Sequence, residues 1–135
     1  MYHVALRLGL AHSLPSFVPL WAASDRIYVG PAGPGATVFP ELLALRIVIA
    51  NAAISDDQIR AFLSHPNPFV VGYCFEALLA RRSTLLTLLP ASLQTRNEEV
   101  SMGITSFDCT QPLHNYIAHR FLNAFHHEPK FDTPV

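Results

Sequence analysis

Residues 55–82, SDDQIRAFLSHPNPFVVGYCFEALLARR, carry the clearest folding signals in the chain. Ser55 followed three residues later by Gln58 is a capping box, in which two side chains satisfy backbone N–H groups at a helix start. Ile59, Phe62 and Leu63 then supply one apolar face as far as about Ser64. His65-Pro66-Asn67-Pro68 breaks the chain, because a proline disfavours α geometry in the residue before it. Asn67 is a good N-cap and Pro68 suits the first helical position, so a second helix is predicted over 68–82. Val70, Cys74, Ala77 and Leu78 share one stripe of it, and Arg81 and Arg82 suit its C-terminal dipole.

This arrangement resembles a HEAT repeat: two antiparallel helices joined by a short proline-bearing turn, the second carrying valine, a small residue and Ala-Leu at set spacings. Pro66, Pro68, Val70, Cys74, Ala77 and Leu78 carry the pattern here. HEAT repeats usually have Asp in the turn and Arg just after the valine, positions held here by His65 or Asn67 and by Val71. The resemblance implies an all-α fold, a short HEAT-like array of helical hairpins of the α-α superhelix type. It also implies a binding or scaffolding surface for a protein partner. The echo between Thr37-Val-Phe-Pro40 and Thr87-Leu-Leu-Pro90 hints at repetition about fifty residues apart. Such arrays normally need three or more units, so a short, self-capped version is expected.

Working outward, ELLALRIVIANAA at 41–53 is apolar nearly all round, which marks a helix over 38–53 as central or partner-facing. Thr37 is its candidate cap, with Pro40 and Glu41 in the first turn. A helix is predicted over 86–95, with Ser83 and Thr87 as candidate caps and Pro90 either in its first turn or kinking it. Residues 97–107 form either a short helix capped by Asn97 or a partly extended link, helix being favoured. Pro112 starts a last helix over 112–126. Residues 1–36 read as an irregular N-terminal segment packed on or leading into the domain. Val4, Leu6, Leu8 and Leu10 alternate like a strand yet also suit a helix, Ile27-Tyr28-Val29 reads as briefly extended, and GPAGPG at 30–35 is a loop. The helical domain is thus placed at 37–127 and a tail at 128–135.

The composition narrows the function. Half of the 135 residues are apolar and 14% are charged, where roughly a quarter is typical, so either the helices are buried on more than one side or apolar surface remains for a partner or a second copy, and the two are not exclusive. Net charge is −1, Lys130 is the one lysine, and Arg81-Arg82 is the one adjacent basic pair. Nucleic-acid binding requires a concentrated positive field, so it is not expected. Residues 8–24 carry no charge and have the outline of a secretion signal, with Ala22, Ala23 and Ser24 as a cleavage region. His12, Ser13, Pro15, Ser16 and Pro19 interrupt the run, which is too broken for a transmembrane segment. A cytoplasmic location is expected, export being the alternative.

Candidates for chemistry are few. The chain has seven histidines. His114 and His119 lie five apart, about 140° round a helix, so they do not form a chelating pair. His126 and His127 diverge as neighbours. Cys109 has Asp108 beside it and His114 five residues on, a group that matches no nucleophile spacing rule. Glu98 and Glu99 diverge as neighbours, and Cys74 reads as a small hydrophobe. GPAGPGAT lacks the lysine or fingerprint spacing of a phosphate loop. No catalytic, cofactor-binding or metal-ligating residue is assigned. The expected function is a non-catalytic module binding a protein partner, as scaffold, adaptor or inhibitor of the immunity type. The alternatives are a small enzyme or metal protein using Cys109 and the C-terminal histidines, and a cell-envelope protein with an N-terminal signal.

Overall fold

The structure is a computed structural model describing residues 13–32, 39–105 and 107–132; over 29–32, 103–105 and 107–109 the description extends to the backbone. Five α-helices and a three-stranded sheet are described, in the order α1 (Leu14–Ala22), β1 (Ile27–Ala32), α2 (Pro40–Ala50), α3 (Asp56–Ala61), α4 (Pro68–Ala80), β2 (Glu99–Thr105), β3 (Phe107–Pro112) and α5 (Leu113–Phe125). The all-α expectation is therefore wrong: the fold is mostly helical, with a small mixed sheet.

The expected hairpin signals form as read. The Ser55 side chain accepts from the Gln58 N–H, and the Gln58 side chain accepts from the Ser55 N–H, opening α3. A 3-10 turn at Phe62–Ser64 follows. Asn67 accepts from the N–H groups of Phe69 and Val70, with Pro68 in the first turn of α4. Its amide also donates to the Ala22 carbonyl at 3.1 Å, so one cap ties the start of α4 to the end of α1.

Helix α4 is the centre of the molecule. Every residue from Val70 to Leu79 is buried, and α1, α2, α3 and α5 all pack on it. At roughly 1.5–3 kcal/mol for each large apolar side chain fully removed from water, this helix contributes much of the hydrophobic stabilisation. The near-absence of polar residues along 69–79 explains its position: a helix without a polar face has no side to offer solvent.

Within the N-terminal third, the described residues 13–32 form a helix and a strand, which corrects the irregular reading there; residues 1–12 and 33–36 lie outside the described residues. Leu14, Phe17 and Trp21 recur at helical spacing on α1 and are buried, although Pro15 and Pro19 both lie within it. Trp21 stacks on Tyr73 of α4 with ring centroids 5.2 Å apart and donates to the Glu41 carbonyl. The Tyr73 hydroxyl donates to the Arg26 carbonyl and accepts from the Tyr28 N–H, fixing the start of β1. The extended reading of 27–29 agrees with β1.

The sheet runs β1-β2-β3. β1 pairs parallel with β2 (Ile27 opposite Met102), and β2 pairs antiparallel with β3 (Met102 opposite Cys109). A parallel pair requires a long crossover, and α2, α3 and α4 fill it. Within 97–107, where the sequence favours a short helix over a partly extended link, Glu99–Thr105 is a strand: Val100 is buried between the more accessible Glu99 and Ser101, and Asn97 caps no helix. The helix expected over 86–95 is instead two 3-10 turns, Thr84–Thr87 and Ala91–Thr95, because Pro90 separates them. Ser83 caps the first through the Leu85 N–H. Helix α2 starts at Pro40 behind Phe39, without a side-chain cap; Thr37 lies outside the described residues. Beyond α5 the chain returns to bridge Leu89 to Phe131, with Arg60 paired to Asp132 at 3.1 Å.

Candidate functional site

Where α2, α4 and α5 meet, they leave an open cleft of about 520 Å³. Leu42, Leu45 and Ile49 of α2 form one wall, Leu79 and Ala80 the end of another, and Ala124 of α5 the third. Its polar groups are Arg46, Glu76, Arg82, Arg120 and Asn123.

Among the described residues Glu76 is the only acidic one lining the cleft, and only 5% of it is exposed. Three donors satisfy its carboxylate: Tyr116 Oη to Oε2, Arg120 Nε to Oε2 at 2.7 Å, and a terminal Arg120 nitrogen to Oε1 at 2.7 Å. Burial pushes the Tyr116 hydroxyl well above its usual range, and the Glu76 charge reinforces this. The hydrogen bonds to Glu76 raise the Arg120 guanidinium likewise, so the guanidinium stays charged. Glu76 and Arg120 therefore cancel, and the donors leave Glu76 no role as a free base.

Charge elsewhere is distributed unevenly. Arg26, Arg60, Arg81, Arg96 and Arg120 each have a carboxylate within 4.0 Å. Among the described residues Arg46 and Arg82 have none, and both line the cleft. Both are exposed. The adjacent Arg81 and Arg82 part company at the end of α4. Arg81 turns to Asp56 at 3.1 Å, whereas Arg82 adopts a left-handed backbone (φ 52°) and sets its guanidinium 5.8 Å from the Phe125 ring centre. The Ser83 N–H reaches back to Leu78 and the Arg82 N–H to Leu79, the Schellman closure in which glycine usually takes the left-handed position.

A second groove of about 470 Å³ lies between α5 and the returning C-terminal segment. His114, His119 and Glu128 line it, so the two histidines share a groove despite their spacing. His114 Nδ1 is engaged by the Arg96 carbonyl at 2.9 Å. Among the described residues no three His, Cys, Asp or Glu side chains come together as a metal set. His126 ends α5 in a left-handed turn, and His127 packs edge-on against Phe121. Glu98 is held below the usual carboxylate range, chiefly by its hydrogen bond from Arg96. Cys109 and Asp108 lie in β3, and their side chains are outside the described residues. Cys74 is buried, and burial pushes its thiol up to about 12.

None of the cleft residues was singled out from the sequence as a site residue. One signal was available: Glu76 is a lone acid in the apolar run FVVGYCFEALLA, and a buried charge demands a partner. The long-range partner, Arg120, is 44 positions away and has no local signature. Comparison of the chain with family models, with curated proteins and with solved structures finds no match.

Proposed function

We propose that this chain is a non-catalytic interaction module, and that the cleft between α2, α4 and α5 receives a segment of a protein partner. The observation that carries this reading is the cleft itself: apolar walls set beside exposed guanidinium groups on a helical frame. Its openness favours a protein segment over a small ligand, since small-molecule sites enclose most of the ligand's surface. Arginine beside an apolar patch is also the composition enriched at protein interfaces. The chemistry near the cleft supports binding over catalysis, because the Glu76 carboxylate is fully engaged. The α3–α4 hairpin, with its proline turn and small residue at Cys74, is proposed as a single HEAT-like unit that supplies one wall of this frame.

Selection of a random peptide library on the full chain, repeated on Ala80→Trp, tests the reading. Ala80 is exposed at the end of α4, so tryptophan there fills the cleft without entering the core. Peptides should be enriched on the parent and lost on the variant, with unchanged thermal unfolding. Equal enrichment on both proteins contradicts the assignment.

A further inference from the structure

We infer that the partner segment carries a carboxylate next to an apolar side chain; the inference rests on the protein-binding reading above and adds the chemistry that the cleft selects. The described arginines without a carboxylate partner, Arg46 and Arg82, line this one cleft from α2 and from the turn after α4. Arg120 is already neutralised by Glu76, so this acid does not repel an incoming anion. What remains is two uncompensated guanidinium groups beside Ile49, Leu79 and Ala124. A planar guanidinium matches a carboxylate with two parallel hydrogen bonds, and the apolar walls accept an aliphatic or aromatic neighbour. Two arginines on a chain of net charge −1 are too few to hold a polyanion, which leaves a discrete acidic side chain or chain terminus as the match.

The backbone at Arg82 is a separate observation in the same direction. A left-handed residue costs free energy for any side chain, and glycine is the usual occupant of this position in a Schellman turn. Here the position carries an arginine whose guanidinium stands over Phe125 at the cleft margin, where it adds no ion pair to the fold. Backbone strain of this kind clusters at binding sites and ligand clamps. It also separates fold from binding, because Arg82→Gly relieves the turn while removing the charge.

The test uses peptides enriched on the full chain by library selection, measured by fluorescence anisotropy. Enriched sequences should place Asp, Glu or the terminal carboxylate next to Leu, Ile or Phe, and changing that acid to Gln or Lys should abolish binding. Arg82→Gly should raise the unfolding midpoint by a few degrees yet weaken binding about tenfold, the scale of one lost charge-assisted contact. Arg46→Gln should weaken binding similarly without moving the midpoint. Lys130→Gln removes the same charge away from the cleft and should leave affinity unchanged. Enrichment of neutral or basic peptides, or acidic peptides indifferent to Arg46→Gln and Arg82→Gly, overturns the carboxylate inference. If those peptides are still lost on Ala80→Trp, the protein-binding reading survives it. Failure of any peptide to bind in the cleft overturns both.

Discussion

Arg120 clasps Glu76 across the α4–α5 contact with two hydrogen bonds of 2.7 Å, and Tyr116, one helical turn earlier on α5, supplies a third donor. A buried ion pair of this kind contributes little net stability against its desolvation, but breaking one side of it is costly. Glu76→Ala should therefore destabilise by about 3–5 kcal/mol, because the half-buried Arg120 loses its counter-charge. Glu76→Met and Arg120→Met combined should cost clearly less than the sum of Glu76→Met and Arg120→Met made singly. Urea denaturation of the four proteins measures the coupling; additive losses would mean that the pair is not formed.

Gly72 lies where α4 passes under β1. A Cβ built there would stand 2.2 Å from Ile27 Cδ1 and 3.0 Å from its Cγ1. Alanine would gain about 1 kcal/mol of helix propensity, but the overlap in a filled core costs about 1–3 kcal/mol. Gly72→Ala alone should be neutral to destabilising. Adding Ile27→Val, which removes the offending Cδ1, should recover stability relative to Gly72→Ala. Denaturation midpoints of the single and double variants decide this, and a further loss on adding Ile27→Val would show that the two residues do not meet.

Alkaline pH should weaken the fold. Burial raises Cys74 to about 12 from 9.0 and raises Tyr73 and Tyr116 above their usual value as well. A group whose proton is held more tightly in the folded state stabilises fully below its unfolded pKa, and that contribution is lost as pH rises towards the folded value. The unfolding midpoint should hold steady to about pH 9 and fall between pH 9 and 12. Cys74→Ala should flatten the early part of that fall, at a cost of about 1 kcal/mol at neutral pH for the lost atom. An identical alkaline profile for parent and Cys74→Ala would contradict the burial of the thiol.

The local signals in the sequence located much of the helical frame. Ser55 with Gln58, Asn67 with Pro68, and the apolar runs after Pro40 and Pro112 are self-contained, and each starts a helix where expected. Pro15 and Pro19 hid α1, although Leu14, Phe17 and Trp21 hold helical spacing. In EVSMGIT, the acidic pair behind Asn97 imitates a helix start, yet Val100, Met102 and Ile104 alternate with the period of a strand. The sheet depends on pairing across the crossover from Ile27 to Met102, a long-range relation that periodicity does not encode. The cleft is hidden for the same reason, since Arg46, Arg82 and Arg120 converge only after α2, α4 and α5 have packed.

The central claim is that binding takes place in this cleft. Amide chemical shifts of the isotope-labelled chain, followed while an enriched acidic peptide is added, test it most directly. The shifts should concentrate at residues 42–49, 79–82 and 120–124. Shifts that concentrate instead around Gln94, His114, His119 and Phe131, the lining of the second groove, would contradict it.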